Sequence, residues 1–76
     1  MNLKLSDLLT LIPNYQDITV IILEDYEDDE RVEVHIYQGY RCEYRCGAYD
    51  IENDYHVDYI VSDYGDKMII FLRYNE

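Results

Sequence analysis

The sequence predicts a small α+β domain in which a short amino-terminal helix packs on an antiparallel sheet of four or five strands. Leucine and isoleucine recur at helical spacing near the start of the chain, and the later segments either alternate apolar and polar residues or are apolar on both faces. The 76 residues leave room for a single domain, spanning residues 1–76. Because the core of so small a domain is thin, association with a second copy or another protein is expected.

The helix is predicted to begin near Ser6 and Asp7, since a hydroxyl caps free backbone N–H groups and an acid is favourable at this end of the helix dipole. Its apolar residues share one face: Leu5, Leu8, Leu9 and Ile12. Pro13 and Asn14 end the pattern. A helix this short is not stable alone in water, so its leucine face is expected to dock on the sheet.

The first and last strands, Ile18–Leu23 and Lys67–Tyr74, are predicted to lie at the centre of the sheet. Both are apolar on two faces, which is typical of strands covered on both sides. In the first strand the two faces are as follows: Ile18, Val20 and Ile22 on one, and Ile21 and Leu23 on the other.

Other strands are predicted between these two. Arg31–Tyr37 alternates between apolar and polar residues. Its inward residues are predicted to be Val32, Val34 and Ile36, and its outward residues Glu33, His35 and Tyr37. Gln38-Gly39 is predicted to be a tight turn. Tyr40–Cys46 alternates again and is interpreted as a short third strand, with a helical turn as the alternative. Residues 47–54 are irregular, and Tyr55–Ser62 forms a hairpin with the last strand.

Charge is the strongest compositional feature. Seventeen acidic residues against six Lys and Arg give a net charge of −11. Such a field repels nucleic acid and anionic membranes and attracts basic protein surfaces, including those that hold DNA or RNA. No apolar stretch is long enough to cross a membrane, and the start does not resemble a secretory signal. We therefore expect a cytoplasmic protein with free cysteines, no direct nucleic-acid binding and no membrane binding.

Neither a metal nor another cofactor is predicted. The run EDYEDDE at residues 24–30 lacks the glycine and ligand spacing of a calcium loop. Cys42 and Cys46 lie roughly 13 Å apart if both are in one strand, and His35 and His56 are isolated from each other in sequence. Catalytic motifs such as a nucleophile elbow or a phosphate-binding glycine loop are missing, so we expect no enzymatic activity.

Acidic residues repeatedly adjoin tyrosines, which predicts a surface for Lys- and Arg-rich partners through ion pairs and cation–π contacts. The predicted partner-facing residues are Glu24, Asp25, Glu27, Asp28, Asp29, Glu30, Tyr44, Tyr49, Asp54, Tyr55, Asp58, Asp63 and Tyr64. An alternative ligand site consists of Tyr40, Arg41, Tyr44 and Arg45, where arginines beside tyrosines suit a phosphate group.

The segments LSDLLTLIPNYQDITVII and VDYIVSDYGDKMIIFL resemble very short acidic proteins from phages and mobile elements of Gram-positive bacteria, in which a leucine-rich helix ending in Ile-Pro precedes an Ile/Val strand and the chain closes on a hairpin. The resemblance covers about half the chain. It implies an accessory role similar to that of anti-CRISPR and other anti-defence inhibitors, and it assigns no functional residues.

Together these features predict a non-catalytic inhibitor that occupies a basic surface of a host defence protein such as a CRISPR effector, acting in part as a DNA mimic. The alternative is an oligomer that sequesters a nucleotide signal in a tyrosine-lined pocket. A homodimer is also expected, because the single short helix covers only one face of the sheet and leaves apolar residues on the other: Ile21, Leu23, Ile69 and Phe71.

Overall fold

A computed structural model describes residues 3–25, 31–44, 51–62 and 66–75 of the chain, which form a four-stranded sheet with a helix packed on one face. The elements are α1 (Leu5–Leu9), β1 (Asp17–Asp25), β2 (Arg31–Tyr40), a 3₁₀ turn (Arg41–Glu43), α2 (Ile51–Asp54), β3 (Tyr55–Ser62) and β4 (Lys67–Tyr74). None of the helices in these ranges has the length and apolar character needed to cross a bilayer.

The strand order is β2-β1-β4-β3, so the first and last strands are central, as predicted. The pairs β1–β2 and β3–β4 are antiparallel, whereas the central pair β1–β4 is parallel. The sheet is therefore mixed. The prediction of a wholly antiparallel sheet is wrong, and the described residues contain four strands, the lower of the two predicted numbers.

The difference arises at the end of β2. This strand continues through the predicted turn at Gln38-Gly39 as far as Tyr40, and Arg41–Glu43 then form a 3₁₀ turn where a third strand was predicted. Because β2 and β3 run in the same direction, the chain between them has to cross the length of the sheet. Residues 41–54 are long enough for such a crossover, which requires about a dozen residues or more.

The helix face of the sheet, defined here as the face on which α1 packs, carries the larger core. It consists of the predicted helix residues and the inward residues of the central strands: Leu5, Leu8, Leu9, Ile12, Ile18, Val20, Ile22, Ile70 and Leu72. The helix begins one residue earlier than predicted, with Lys4 at the N-cap, so the predicted capping role of Ser6 is wrong. The short helix α2, in a segment predicted to be irregular, leads directly into β3 and lies near α1.

The second face of the sheet, opposite α1, carries a smaller cluster of Ile21, Leu23 and Phe71, against which Ile69 packs. The first three are 3%, 2% and 8% exposed within the single chain. These residues are therefore buried without a second copy. A dimer through this face was expected because they would otherwise be exposed, and that reason no longer holds.

A β-bulge in β2 changes which residues face the core. Val20 lies opposite Tyr37 whereas Ile21 lies opposite His35, so Ile36 is an extra residue on β2. Ile36 and Tyr37 both pack against the core of the helix face. The prediction that Tyr37 points outward is thus wrong, and Val34, predicted to be inward, is exposed.

Candidate partner-binding site

Acidic residues lie at both ends of the sheet, and the predicted ones among them that the structure describes lie at one end. Glu24 and Asp25 lie at the end of β1, at the same end as Asp54 and the start of β3. The other end holds Asp17, the first residue of β1, which is in register with Lys67, the first residue of β4. Several predicted partner-facing residues lie outside the described part of the chain: Glu27, Asp28, Asp29, Glu30, Tyr49, Asp63 and Tyr64.

The predicted residues around β3 are in part engaged within the chain. Asp58 accepts a hydrogen bond from Nε of Arg73 at 3.2 Å, as part of an ion pair. Tyr55 is half-buried and packs edge-to-face on Tyr74, with 5.4 Å between ring centroids. Asp54 is exposed.

A cleft at the end of the sheet that carries Asp17 brings tyrosines and acids together. This tyrosine–acid cleft has a volume of about 450 Å³ and is lined by Pro13, Tyr15, Gln16, Asp17, Tyr40 and Asp66. The rings of Tyr15 and Tyr40 meet edge-to-face at 6.1 Å and are 81% and 49% exposed. The charged side chains among these described lining residues are two carboxylates, so the cleft is suited to a cation.

Backbone hydrogen bonds fix the loop that forms one wall of this cleft. After Pro13 the chain turns back, with the Gln16 amide donating to the Pro13 carbonyl at 3.1 Å. The side chain of Gln16 donates to the backbone carbonyl of Asp66 and thereby joins the loop to the start of β4. The amides of Arg41 and Cys42 donate to the carbonyls of Gln16 and Asn14, both at 2.9 Å, which joins the loop to the end of β2.

Tyr37 supports Tyr40, which lines the other side of the cleft. Its hydroxyl donates to the carbonyl of Tyr40 at 2.5 Å, and its ring packs edge-to-face on Tyr44 with centroids 5.0 Å apart. Burial raises the pKa of Tyr37 above its ordinary value of 10.0, and the negative charges of Glu43, Cys42 and Asp17 raise it further. The Tyr37 phenol is protonated at neutral pH and donates this hydrogen bond, so Tyr40 is anchored through its backbone while its ring stays available.

The residues of the alternative ligand site are only partly brought together. Tyr40 lines the cleft, but the Nε of Arg41 donates to the carbonyl of Leu9 at 2.9 Å and its Nη1 to Asn14 Oδ1 at 3.4 Å. Arg41 thus holds the end of α1 and its loop. Tyr44 packs against the core of the helix face, and Arg45 lies outside the described residues. The described geometry offers a phosphate no free guanidinium at this cleft.

The histidines lie on the two opposite edge strands. His35 is on β2 and His56 on β3, with the two central strands between them, which separates them by about 14 Å at the usual strand spacing. His56 Nδ1 is 2.7 Å from Asn75 Oδ1. Cys42 is exposed with a free thiol, and Cys46 is outside the described ranges. Within the described residues, no group of three or more metal-ligating side chains converges on one point.

Sequence reasoning did not single out Tyr15, Gln16, Asp17 or Asp66 as site residues. The available signal was the adjacency of tyrosine and acid along the chain, whereas the cleft is assembled across the sheet. The parallel pairing of β1 with β4 brings the start of both strands to one end, so Asp17 and Asp66 become neighbours.

No protein-family model, no curated protein and no solved structure matches this chain. The chemistry of the cleft is therefore the main guide to function.

Proposed function

We propose that this protein is a non-catalytic interaction protein that binds a basic surface of a host protein in the cytoplasm and inhibits it. The observation that supports the proposal most directly is the tyrosine–acid cleft, in which two exposed tyrosine rings adjoin Asp17 and Asp66. The net charge of −11 adds a long-range attraction toward a cationic partner and speeds its approach.

The cleft accommodates the side chain of a partner lysine or arginine. A guanidinium or ammonium group attracts the faces of tyrosine rings by about 0.5–1 kcal/mol at exposed sites. A carboxylate beside it contributes a charge-assisted hydrogen bond, and the planar fork of arginine matches a carboxylate with two parallel hydrogen bonds. Arginine is therefore the preferred occupant.

A partner that normally holds nucleic acid fits this charge best, and a CRISPR effector or another defence protein is the class that the resemblance to phage and mobile-element proteins favours. Asp17 and Asp25 lie at the two ends of β1, about 26 Å apart at the rise of a strand. We therefore expect two separate cationic contacts on the partner rather than a continuous row of carboxylates that copies a phosphate backbone.

The direct test is an NMR titration of the ¹⁵N-labelled protein with a ten-residue arginine-rich peptide and, as the matched probe, a glutamine-rich peptide of equal length. The arginine peptide is expected to shift the backbone amides of Tyr15, Asp17 and Tyr40, and the shifts should weaken between 0.05 and 0.5 M NaCl because exposed charges are screened over about 10 Å at 0.1 M. Shifts that avoid the cleft, or that are insensitive to salt, would contradict the proposal.

Four variants, one of them a control, sharpen the test. Asp17→Asn and Asp66→Asn should each weaken peptide binding about 2- to 10-fold, which corresponds to the loss of one charge-assisted contact. Lys67→Ala removes the cation in register with Asp17 and should strengthen binding. Asp54→Asn, at the other end of the sheet, is the control with the same change of charge and should leave binding at the cleft unchanged.

Inhibition is tested separately, by adding the protein to a defence effector from the host and measuring DNA binding by the effector. A capture from host lysate provides the candidates. If native mass spectrometry of the protein purified from its host instead reveals a bound nucleotide, the protein is the small-molecule binder described as the alternative, and the proposed inhibitory role is wrong.

A further inference from the structure

The outer strand β3 is an exposed apolar edge. Tyr59, Ile60 and Val61 are 40%, 40% and 41% exposed, although they are consecutive residues of a strand and so point to both faces of the sheet. The carbonyl of Leu3 accepts a hydrogen bond from the Val57 amide, so the described residue before α1 that pairs with β3 does so at the first part of this strand. An edge strand of this kind is a template for another strand.

The usual protections of an edge are located elsewhere on β3. The register shift between Val57 and Tyr59 makes Asp58 a bulge residue, which precedes the exposed segment rather than interrupting it. From Tyr59 to Ser62 the strand has neither a charged residue nor a proline. The opposite edge strand, β2, differs, because its exposed part includes the polar residues Glu33 and His35.

Charge indicates which occupant this edge suits. Tyr59 to Ser62 carry no charge in a chain of net charge −11, and Asp58, the acid that precedes them, is paired with Arg73. A cationic protein finds no carboxylate within these four residues. A second copy that pairs along them brings no charged residue of the four opposite another, and charges outside the segment, including Asp63 directly after it, are screened at moderate salt.

The segment is also complementary to itself. If two antiparallel copies are related by a two-fold axis through Ile60, each Ile60 lies opposite its counterpart and each Tyr59 lies opposite Val61 of the second copy. Aromatic and β-branched residues are favourable pairs across antiparallel strands. Asp58 then lies opposite Ser62, so the two carboxylates do not face each other, and the contact is closed by symmetry.

We propose that β3 pairs with β3 of a second copy, in the register centred on Ile60, to form one continuous eight-stranded sheet. This inference goes beyond the proposed function and does not depend on it, because the paired segment is neutral and lies outside the cleft. It also places the self-association of this chain at an edge of the sheet rather than on the second face.

Disulfide trapping tests the register directly. In a Cys42→Ser, Cys46→Ser background, Ile60→Cys should form a covalent dimer on mild oxidation, because directly opposed residues have Cα atoms about 4.5–5.5 Å apart. Val61→Cys in the same background is the control. In the proposed register its two copies are offset by two residues, so their Cα atoms are about 8 Å apart, beyond the roughly 7 Å that a disulfide can bridge. Efficient trapping of Val61→Cys together with no trapping of Ile60→Cys would overturn the proposed register.

The unmodified chain provides the second measurement. Light scattering at tens of micromolar should give twice the 9.2 kDa mass of one chain, and the dimer should persist or strengthen as salt is raised, unlike binding of an arginine peptide at the cleft. Ile60→Lys should give the single-chain mass with an unchanged circular dichroism spectrum, whereas Val34→Lys on the β2 edge should remain dimeric. A single-chain mass for the unmodified protein, or a dimer unaffected by Ile60→Lys, would overturn the proposal.

Discussion

The two faces of the sheet exclude water by different means. On the helix face, α1 lays its leucines over the inward residues of β1 and β4, so a separate backbone element forms the cover. On the second face, the buried residues lie in a row across the strands, in which Ile21 is beside Phe71 and Phe71 is beside Tyr59. The ring of Tyr59 stacks on Phe71, with centroids 4.5 Å apart and the ring planes inclined by 20°.

Among the described residues, a helix packs on one face of the sheet, whereas side chains of neighbouring strands flank the buried residues of the other face. The second face buries a narrow strip along the central strands and places larger or polar residues on either side of it, such as His35 next to Ile21 and Tyr59 next to Phe71. Damage to the helix face should therefore undo the packing of two layers, whereas damage to the second face should remain local.

The largest expected effect compares two buried leucines, one on each face. Leu72→Ala on the helix face should lower the free energy of unfolding by about 4 kcal/mol, and Leu23→Ala on the second face by about 2–3 kcal/mol, because the second site has fewer fixed neighbours and collapses more easily. Urea denaturation measures both. If Leu72→Ala does not fold, Ile70→Val and Ile21→Val provide the same comparison at about 0.5–1.5 kcal/mol each. Equal costs on both faces would contradict the distinction.

A smaller effect is expected from adding one methyl group to the helix face at Gly39. Gly39 has a backbone φ of +156°, which residues other than glycine rarely adopt. A Cβ at this position would lie 2.8 Å from the Tyr37 hydroxyl. Gly39→Ala should therefore destabilise the fold by about 1–3 kcal/mol. Because part of this cost is the clash, it should be lower when Gly39→Ala is made in a Tyr37→Phe background. Thermal denaturation of the four proteins measures both terms, and an unchanged melting temperature for Gly39→Ala would contradict the close packing at this position.

The stack on the second face is expected to contribute less. A double-mutant cycle with Tyr59→Leu and Phe71→Leu should give a coupling of about 0.5–1.5 kcal/mol between the two rings, beyond the area that each buries. The cycle should be measured under conditions in which the protein is monomeric, so that loss of edge pairing does not contribute. A coupling near zero would mean that Tyr59 does not help to cover the second face.

The smallest effect is expected at the rim of the second face, where Asp58 pairs with Arg73. Asp58→Asn should reduce stability by about 0.2–1 kcal/mol, since both side chains are partly exposed and water screens the pair. The difference should vanish in 0.5 M NaCl. Asp54→Asn, at an exposed acid of α2, is the matched control. An equal loss of stability in that variant would show that the change of net charge, not the loss of this ion pair, is responsible.

The sequence alone determined which residues are buried in the central strands and the helix. Periodicity identifies the buried side of a strand or helix, and it predicted the leucine face of α1, both faces of β1, and the bounds of β3 and β4 without change. It failed where the pattern itself is interrupted. The extra residue in β2 reverses the side to which Tyr37 points, and a bulge leaves no mark in an alternating sequence until the partner strand is known.

Strand direction and the candidate site were decided by the tertiary structure. Alternation is the same whether neighbouring strands run parallel or antiparallel, so it does not reveal the direction of β4 relative to β1. The parallel pairing of these strands brings their starts to the same end of the sheet and places Asp17 near Asp66. The cleft consequently combines side chains about 50 residues apart in sequence, which local patterns of tyrosine and acid cannot connect.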